Sequence, residues 1–206
     1  MGPRKKIFIL FLIPILVGII SIPLPYWCYG KVTVTGQNDS DITTYLGLYS
    51  IKFKGEYVNL SNRTDVDETY KLQDMEDKDF VSSNFKSDWK DLNKYYRFAL
   101  GAVVIAIGLS IIIPFSRRLF LILGWLVFGF FLISILVVVI KTPDIDQMVF
   151  ESENAIFPIW EDGKIFSSQI ISYSYSFFLS CLAALLSLGF YFFGIAIWKK
   201  YRKEYY

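Results

Sequence analysis

Four apolar runs divide the chain, at residues 7–25, 98–115, 119–140 and 172–198. Each is long enough for a helix to cross the ~30 Å hydrocarbon core of a bilayer. Pro14 falls inside the first run and predicts a bend; Gly18 admits a close neighbour. A basic head, Arg4, Lys5 and Lys6, precedes that run, as in a secretory signal. The length of the run, and the lack of a small-x-small cleavage site before Trp27, favour a retained span.

Two polar stretches lie between the runs, at 26–97 and 141–171. In the first, residues 31–35 (KVTVT) alternate and are β-branched, the pattern of a strand. Residues 45–60 hold two alternating runs, LYSIKF and EYVNL, joined at Lys54 and Gly55. That arrangement predicts a hairpin. Residues 61–79 are acidic and without period, which predicts a loop. Beyond them the period changes. Phe85, Trp89, Leu92 and Tyr96 fall at helical spacing on one face, and that helix can run on into the second span. The face is expected to pack on the sheet or on headgroups rather than to bind a partner. Residues 116–118 are a tight turn. The second polar stretch carries one apolar knot, Ile156, Phe157 and Trp160, ringed by Glu151, Glu153, Glu161 and Asp162.

Charge orients this pattern. The head, the turn and the tail hold nine basic residues against one acid, Glu204. The first polar stretch holds ten basic and twelve acidic residues, the second two and six. Short segments rich in Lys and Arg stay cytoplasmic. All three agree with an even number of crossings, so both termini are expected inside and both polar stretches outside. Three N-x-S/T sequons, at Asn38, Asn59 and Asn62, lie in the first outer loop and are candidate glycosylation sites.

Small residues mark where spans can touch, because lipid gives helices no hydrophobic drive to associate. Gly101 and Gly108 with Ala102 and Ala106, Gly124 and Gly129, and Ser176, Ser180, Ala183, Ala184 and Ser187 are the candidate contacts. A water path along the serines is disfavoured, since no ionisable residue lies at depth in any span. Trp125, well inside the third span, reads as a packing residue.

The chain has no His, which removes the commonest metal ligand and neutral-pH base. Its two cysteines, Cys28 and Cys181, have neither metal-site nor redox spacing, and no disulfide is expected. The acidic groups within 65–79 lack the glycine and spacing of a calcium loop and read as a solvated surface. No catalytic residue, cofactor or metal site is expected.

The whole resembles the claudin superfamily, which includes claudins, peripheral myelin protein, epithelial membrane proteins and calcium-channel gamma subunits. Pro25, Tyr26 and Trp27, then Gly47, Leu48 and Tyr49, stand where that family has a Trp past the first span and a Gly-Leu-Trp some twenty residues on. Arg97 matches its Arg at the head of the second span, and Tyr175, Ser176, Phe177 and Phe178 resemble an opening of the fourth. The family's first-loop disulfide would fall near Lys52 and Asn62, where there is no Cys. The resemblance implies a four-helix transmembrane bundle with a small antiparallel β-sheet in the first extracellular loop, at the plasma membrane. It implies a non-enzymatic protein acting through its outer loops in adhesion, lateral assembly or barrier formation at cell junctions. An auxiliary subunit of a channel or larger membrane complex is the alternative, and a lipid enzyme at the interface a second. The expected partners are membrane lipids and either itself or another membrane protein, met through loops and span faces, with no nucleic acid. Ile156, Phe157 and Trp160 are the candidate contact residues; Trp27, Gly47, Leu48, Tyr49 and Arg97 are the structural motif.

Overall fold

The computed structural model describes residues 2–22, 27–34, 40–59, 62–79, 81, 83–141, 148–149 and 172–205. The chain forms two compact units. One comprises Met1–Pro23, Phe98–Val137 and Ser176–Tyr206; the other comprises Leu24–Arg97 and Val138–Tyr175.

The first unit is helical. Its elements are α1 (Pro3–Ser21), the later part of α2 (Lys86–Ile112), most of α3 (Arg117–Lys141) and most of α4 (Tyr175–Tyr205). A 3-10 turn at Ile113–Phe115 ends α2, because Pro114 cannot continue its hydrogen-bond ladder. Three helical stretches are long and apolar enough to cross a membrane: Lys86–Phe115, Arg117–Lys141 and Tyr175–Tyr201. Only 39%, 33% and 28% of their apolar windows are buried within the chain. Apolar surface left open on that scale suits lipid and not water.

The fourth expected span, 7–25, is not among these three. Arg4, Lys5 and Lys6 fall inside α1, and residues 23–25 lie outside the described residues. The remaining apolar stretch, 7–21, rises about 22 Å at 1.5 Å per residue, against roughly 30 Å of hydrocarbon. The helix is nonetheless two-faced. Ile7, Phe11, Ile15 and Ser21 are buried, while Ile9, Leu12, Ile13, Leu16, Ile19 and Ile20 are exposed.

Close packing in this unit falls on some of the expected small residues and not on others. A Cβ on Gly18 would come 3.0 Å from the Phe131 ring, and one on Gly124 2.6 Å from Tyr191. Gly194 lies under Phe120 in the same way, at 2.2 Å, although nothing in the sequence singles it out. Ala102, Ala106, Ala183 and Ala184 are buried. Gly101, Gly108 and Gly129 are not contacts, for a Cβ there would meet nothing within 4 Å. Ser180 donates to Ser21 Oγ at 3.1 Å and so ties α4 to α1. Ser21, Ser110, Ser134 and Ser187 donate back to carbonyls of their own helices, the usual way a helix serine satisfies itself. Trp125 corrects the sequence reading: it is 53% exposed. The inner face of α3 runs through Phe120, Val127, Phe131, Ser134 and Val138 at steps of three, four and seven, and Trp125 is out of phase with it.

The second unit is built on an antiparallel sheet ordered β4-β3-β2-β1-β5. The strands are β1 (Cys28–Val34), β2 (Ser40–Leu46), β3 (Ser50–Asn59), β4 (Asn62–Lys71) and β5 (Ser172–Tyr173). β1 fulfils the expectation at 31–35. The hairpin expected at Lys54 and Gly55 is not formed, because β3 runs straight through both. Gly55 pairs with Ile42 on one side and Val66 on the other. The chain turns instead at 47–49, where the Gly47 N–H donates to Ser50 O at 2.7 Å. The loop expected over 61–79 is also corrected: it contains β4 and a 3-10 turn at Leu72–Asp77.

One face of the sheet is apolar. Cys28, Ile42, Leu46, Ile51, Phe53 and Val66 are buried, and the register puts them on the same side. Leu48, Leu72, Met75, Val81, Trp89, Leu92 and Tyr96 are buried in the same unit. The helical face expected at 85–96 is therefore a core face. α2 carries it on past residue 97 without a break, with Ala99 and Val103 next in phase. The other face of the sheet is polar and charged, the alternation expected of an antiparallel sheet covered on one side.

Candidate functional site

The motif residues of the sheet unit are held by backbone hydrogen bonds and packing. Trp27 is fully buried. Its backbone N–H donates to Leu46 O at 3.0 Å, and its backbone C=O accepts from the Ser174 N–H at 2.9 Å. That single residue thus joins the end of β2 to the segment that opens α4. Gly47, Leu48 and Tyr49 form the turn between β2 and β3. Leu48 is fully buried, while Tyr49 is exposed and its carbonyl accepts from the Leu72 N–H at 2.9 Å. The turn is short because Gly47 hydrogen-bonds across it, and Leu48 plugs it from beneath.

Arg97 is a strut. Its guanidinium donates to Gln73 Oε1 in the 3-10 turn. Lys90 reaches Glu76 of the same turn at 3.4 Å. Two cations seven residues apart, two turns along α2, so hold one short turn. Near the same end of the helix, Lys141 Nζ sits 4.4 Å from the centre of the Tyr95 ring, a cation–π contact.

The polar face of the sheet is laced across strands. Lys31 pairs with Asp41 at 2.8 Å, Lys52 with Asp67 at 2.5 Å, and Arg63 with Glu56 at 3.6 Å. Lys52 is half-buried and the other five groups are exposed, and exposed pairs add about 0.2–1 kcal/mol each. They also mark the register, since a slip of one residue would carry a strand's charged side chains to the apolar face. Tyr70 donates its hydroxyl to Glu68. Partial burial, and then that carboxylate, push its pKa up to about 12. The acidic stretch is thus partly engaged, where the sequence suggests plain solvated carboxylates. Among the described residues, no group of three or more His, Cys, Asp or Glu could hold a metal ion. Cys28 is buried and Cys181 half-buried, and neither is in a disulfide.

Several candidate residues lie beyond what the structure describes: Asn38, Ile156, Phe157 and Trp160. Asn59 and Asn62 face each other as the last pair of the β3–β4 ladder. Chemically, the described face offers paired charge and exposed tyrosine, Tyr29 and Tyr49, the make-up of a surface for hydrogen-bonded contact. The pairing of Ser172 and Tyr173 with Tyr29 and Cys28 had no signal in the sequence. A two-residue strand is below any periodicity. No protein-family model matches this chain, and no curated protein matches it.

Proposed function

We propose that this chain is an integral membrane protein of claudin-like, four-span build that acts by contact through its outer loops, in adhesion, lateral assembly or barrier formation. One observation carries the reading. The first polar stretch and the opening of the fourth apolar run contribute strands to a single sheet with a charged, ion-paired face. The same chain also holds three helices whose apolar surface is mostly open. A folded polar sheet and lipid-facing helices in one chain suit recognition.

α1 serves as the fourth span in this reading. Its exposed face is as apolar as those of the other helices. The charge pattern then puts both termini in the cytoplasm. The contacts of the first unit support this, because the three basic segments meet. Arg4 shares a cleft with residues 115–118, and Lys6 lies 5.5 Å from the Tyr201 ring. Head, turn and tail on one side need an even number of crossings. A cysteine placed at 146 should react with an impermeant thiol reagent only from outside; labelling from the cytoplasm would overturn the orientation.

The auxiliary-subunit reading is favoured by a separate observation. Gly101, Gly108 and Gly129 are open to close approach by another helix. Copurification in mild detergent separates the two. Self-arrays support assembly, and a stoichiometric larger partner supports the subunit role. Replacing Phe157 and Trp160 by Ser should weaken that association while membrane delivery persists. Unchanged association removes this loop as the contact. Lipid turnover by the purified chain, or solute flux through it in liposomes, would sink the contact reading.

A further inference from the structure

The first unit has a cleft that the contact reading does not use. It has a volume of about 570 Å³ and is lined by Arg4, Phe115, Ser116, Arg117, Arg118 and Leu121. Three arginines from two separate segments line one opening. The Phe8 and Phe115 rings, 5.8 Å apart, hold those segments together. Among the described residues, the ion pairs engage other residues, and no carboxylate pairs with any of these arginines. Ser116 caps α3, its Oγ accepting from the Leu119 N–H at 3.5 Å and its carbonyl from Phe120 at 2.8 Å. The positive end of that helix adds to the arginines rather than offsetting them. Arginines that line one cleft with no paired carboxylate favour an anion there.

The walls say what kind of anion. Phe115 and Leu121 are apolar and exposed beside the arginines. The volume suits a headgroup with part of its chains better than a bare ion. Guanidinium binds phosphate bidentately, and basic pockets between membrane helices on the cytoplasmic side take anionic headgroups. We propose that this cleft binds the phosphomonoester headgroup of an anionic phospholipid, with Arg4, Arg117 and Arg118 on the phosphate and Phe115 and Leu121 against its apolar part.

The proposal rests on the membrane reading, and binding in micelles tests it apart from that reading. Membrane insertion is read separately, by whether the wild-type chain resists extraction from vesicles in an alkaline wash. The full chain in neutral detergent is titrated with dioctanoyl phosphatidic acid, with dioctanoyl phosphatidylcholine and with glycerol 3-phosphate, following thermal stabilisation. The expected result is saturable binding of phosphatidic acid, about tenfold or more tighter than of the other two. Arg4→Gln/Arg117→Gln/Arg118→Gln should lose about that factor, while Lys199→Gln/Lys200→Gln should bind as the wild type does. Arg117→Lys/Arg118→Lys, which keeps the charge and the fold, should fall between them. Equal binding of glycerol 3-phosphate would make the ligand a soluble phosphate and overturn the lipid assignment. Unchanged binding by the triple variant, or equal loss in the Lys199/Lys200 variant, would overturn the site.

Discussion

Gly55→Ala should open the sheet at its centre. A Cβ at this position would lie 1.9 Å from the Asp41 carbonyl oxygen and 2.9 Å from Ile42 Cα. Both are backbone atoms of β2, so no side chain can swing aside. Relieving the clash means moving β2 by about an ångström, an overpacking strain of about 1–3 kcal/mol. The φ of +157° adds a conformation that side-chain-bearing residues rarely adopt, at about 1–3 kcal/mol. The sum, about 2–6 kcal/mol, rivals the whole stability of many domains. Hydrogen exchange of β2 and β3 amides in detergent reads the effect directly. Protection should collapse at Ile42, Thr44 and Phe53, which pair beside the site. Gly55→Asn separates this from the turn that the sequence suggests. A left-handed turn accepts Asn at little cost, whereas the close approach of β2 excludes it as firmly as Ala. Normal protection in Gly55→Asn would refute the unbroken strand.

The helix glycines give the matching contrast. Gly101→Ala and Gly108→Ala, where the new methyl meets nothing, should raise helix stability by about 0.5–1 kcal/mol each; Gly124→Ala, against Tyr191 at 2.6 Å, should lower it by about 1–3 kcal/mol. Melting in one detergent checks all three. Trp27→Ala empties a fully buried site and should cost about 3–5 kcal/mol; near-normal melting would reduce this Trp to an interfacial anchor. Tyr70 has a folded pKa raised from 10.0 to about 12, so its contribution is whole below pH 10 and is lost as pH rises through about 12. The latest step of the tyrosinate absorbance titration should vanish in Tyr70→Phe.

Sequence alternation located β1 but could not decide the course of β3. A turn at Lys54 and Gly55 puts Val58 on the face of Ile51 and Phe53, and an unbroken strand puts position 57 there. Both satisfy a period of two. What decides is β4, and β4 is illegible by hydropathy because only Val66 and Tyr70 are apolar within Asn62–Lys71. It is an edge strand, and charge on an edge strand protects against pairing with other chains. Its order comes from partners distant in sequence, Asp67 with Lys52 and Arg63 with Glu56. Helical period fared better. Trp89, Leu92 and Tyr96 were legible as a buried face because each helix turn repeats the signal. The same logic misplaced Trp125, since a run apolar on every side has no phase to read. The basic cleft was half legible. The counts showed head and turn to be basic, but only the fold brings Arg4 beside Arg117 and Arg118.

Cys28 and Cys181 form no disulfide, so the sheet is held by other means. A disulfide across a loop of this kind contributes about 2–4 kcal/mol. The three cross-strand ion pairs contribute less, about 0.2–1 kcal/mol each. Burial can replace it. Fully burying one large apolar side chain contributes about 1.5–3 kcal/mol, so two such residues match a disulfide. Leu72 and Met75 of the 3-10 turn are buried, and so are Trp89 and Leu92 of α2. All four follow β3 in the chain, and Arg97 and Lys90 fasten the turn to the helix. β3 and β4, at ten residues each, also pair along their whole length. Long strands and a helix-clamped turn supply by packing what a covalent bond supplies elsewhere, and Leu72, Met75 and Trp89 are therefore the residues whose loss the sheet should tolerate least.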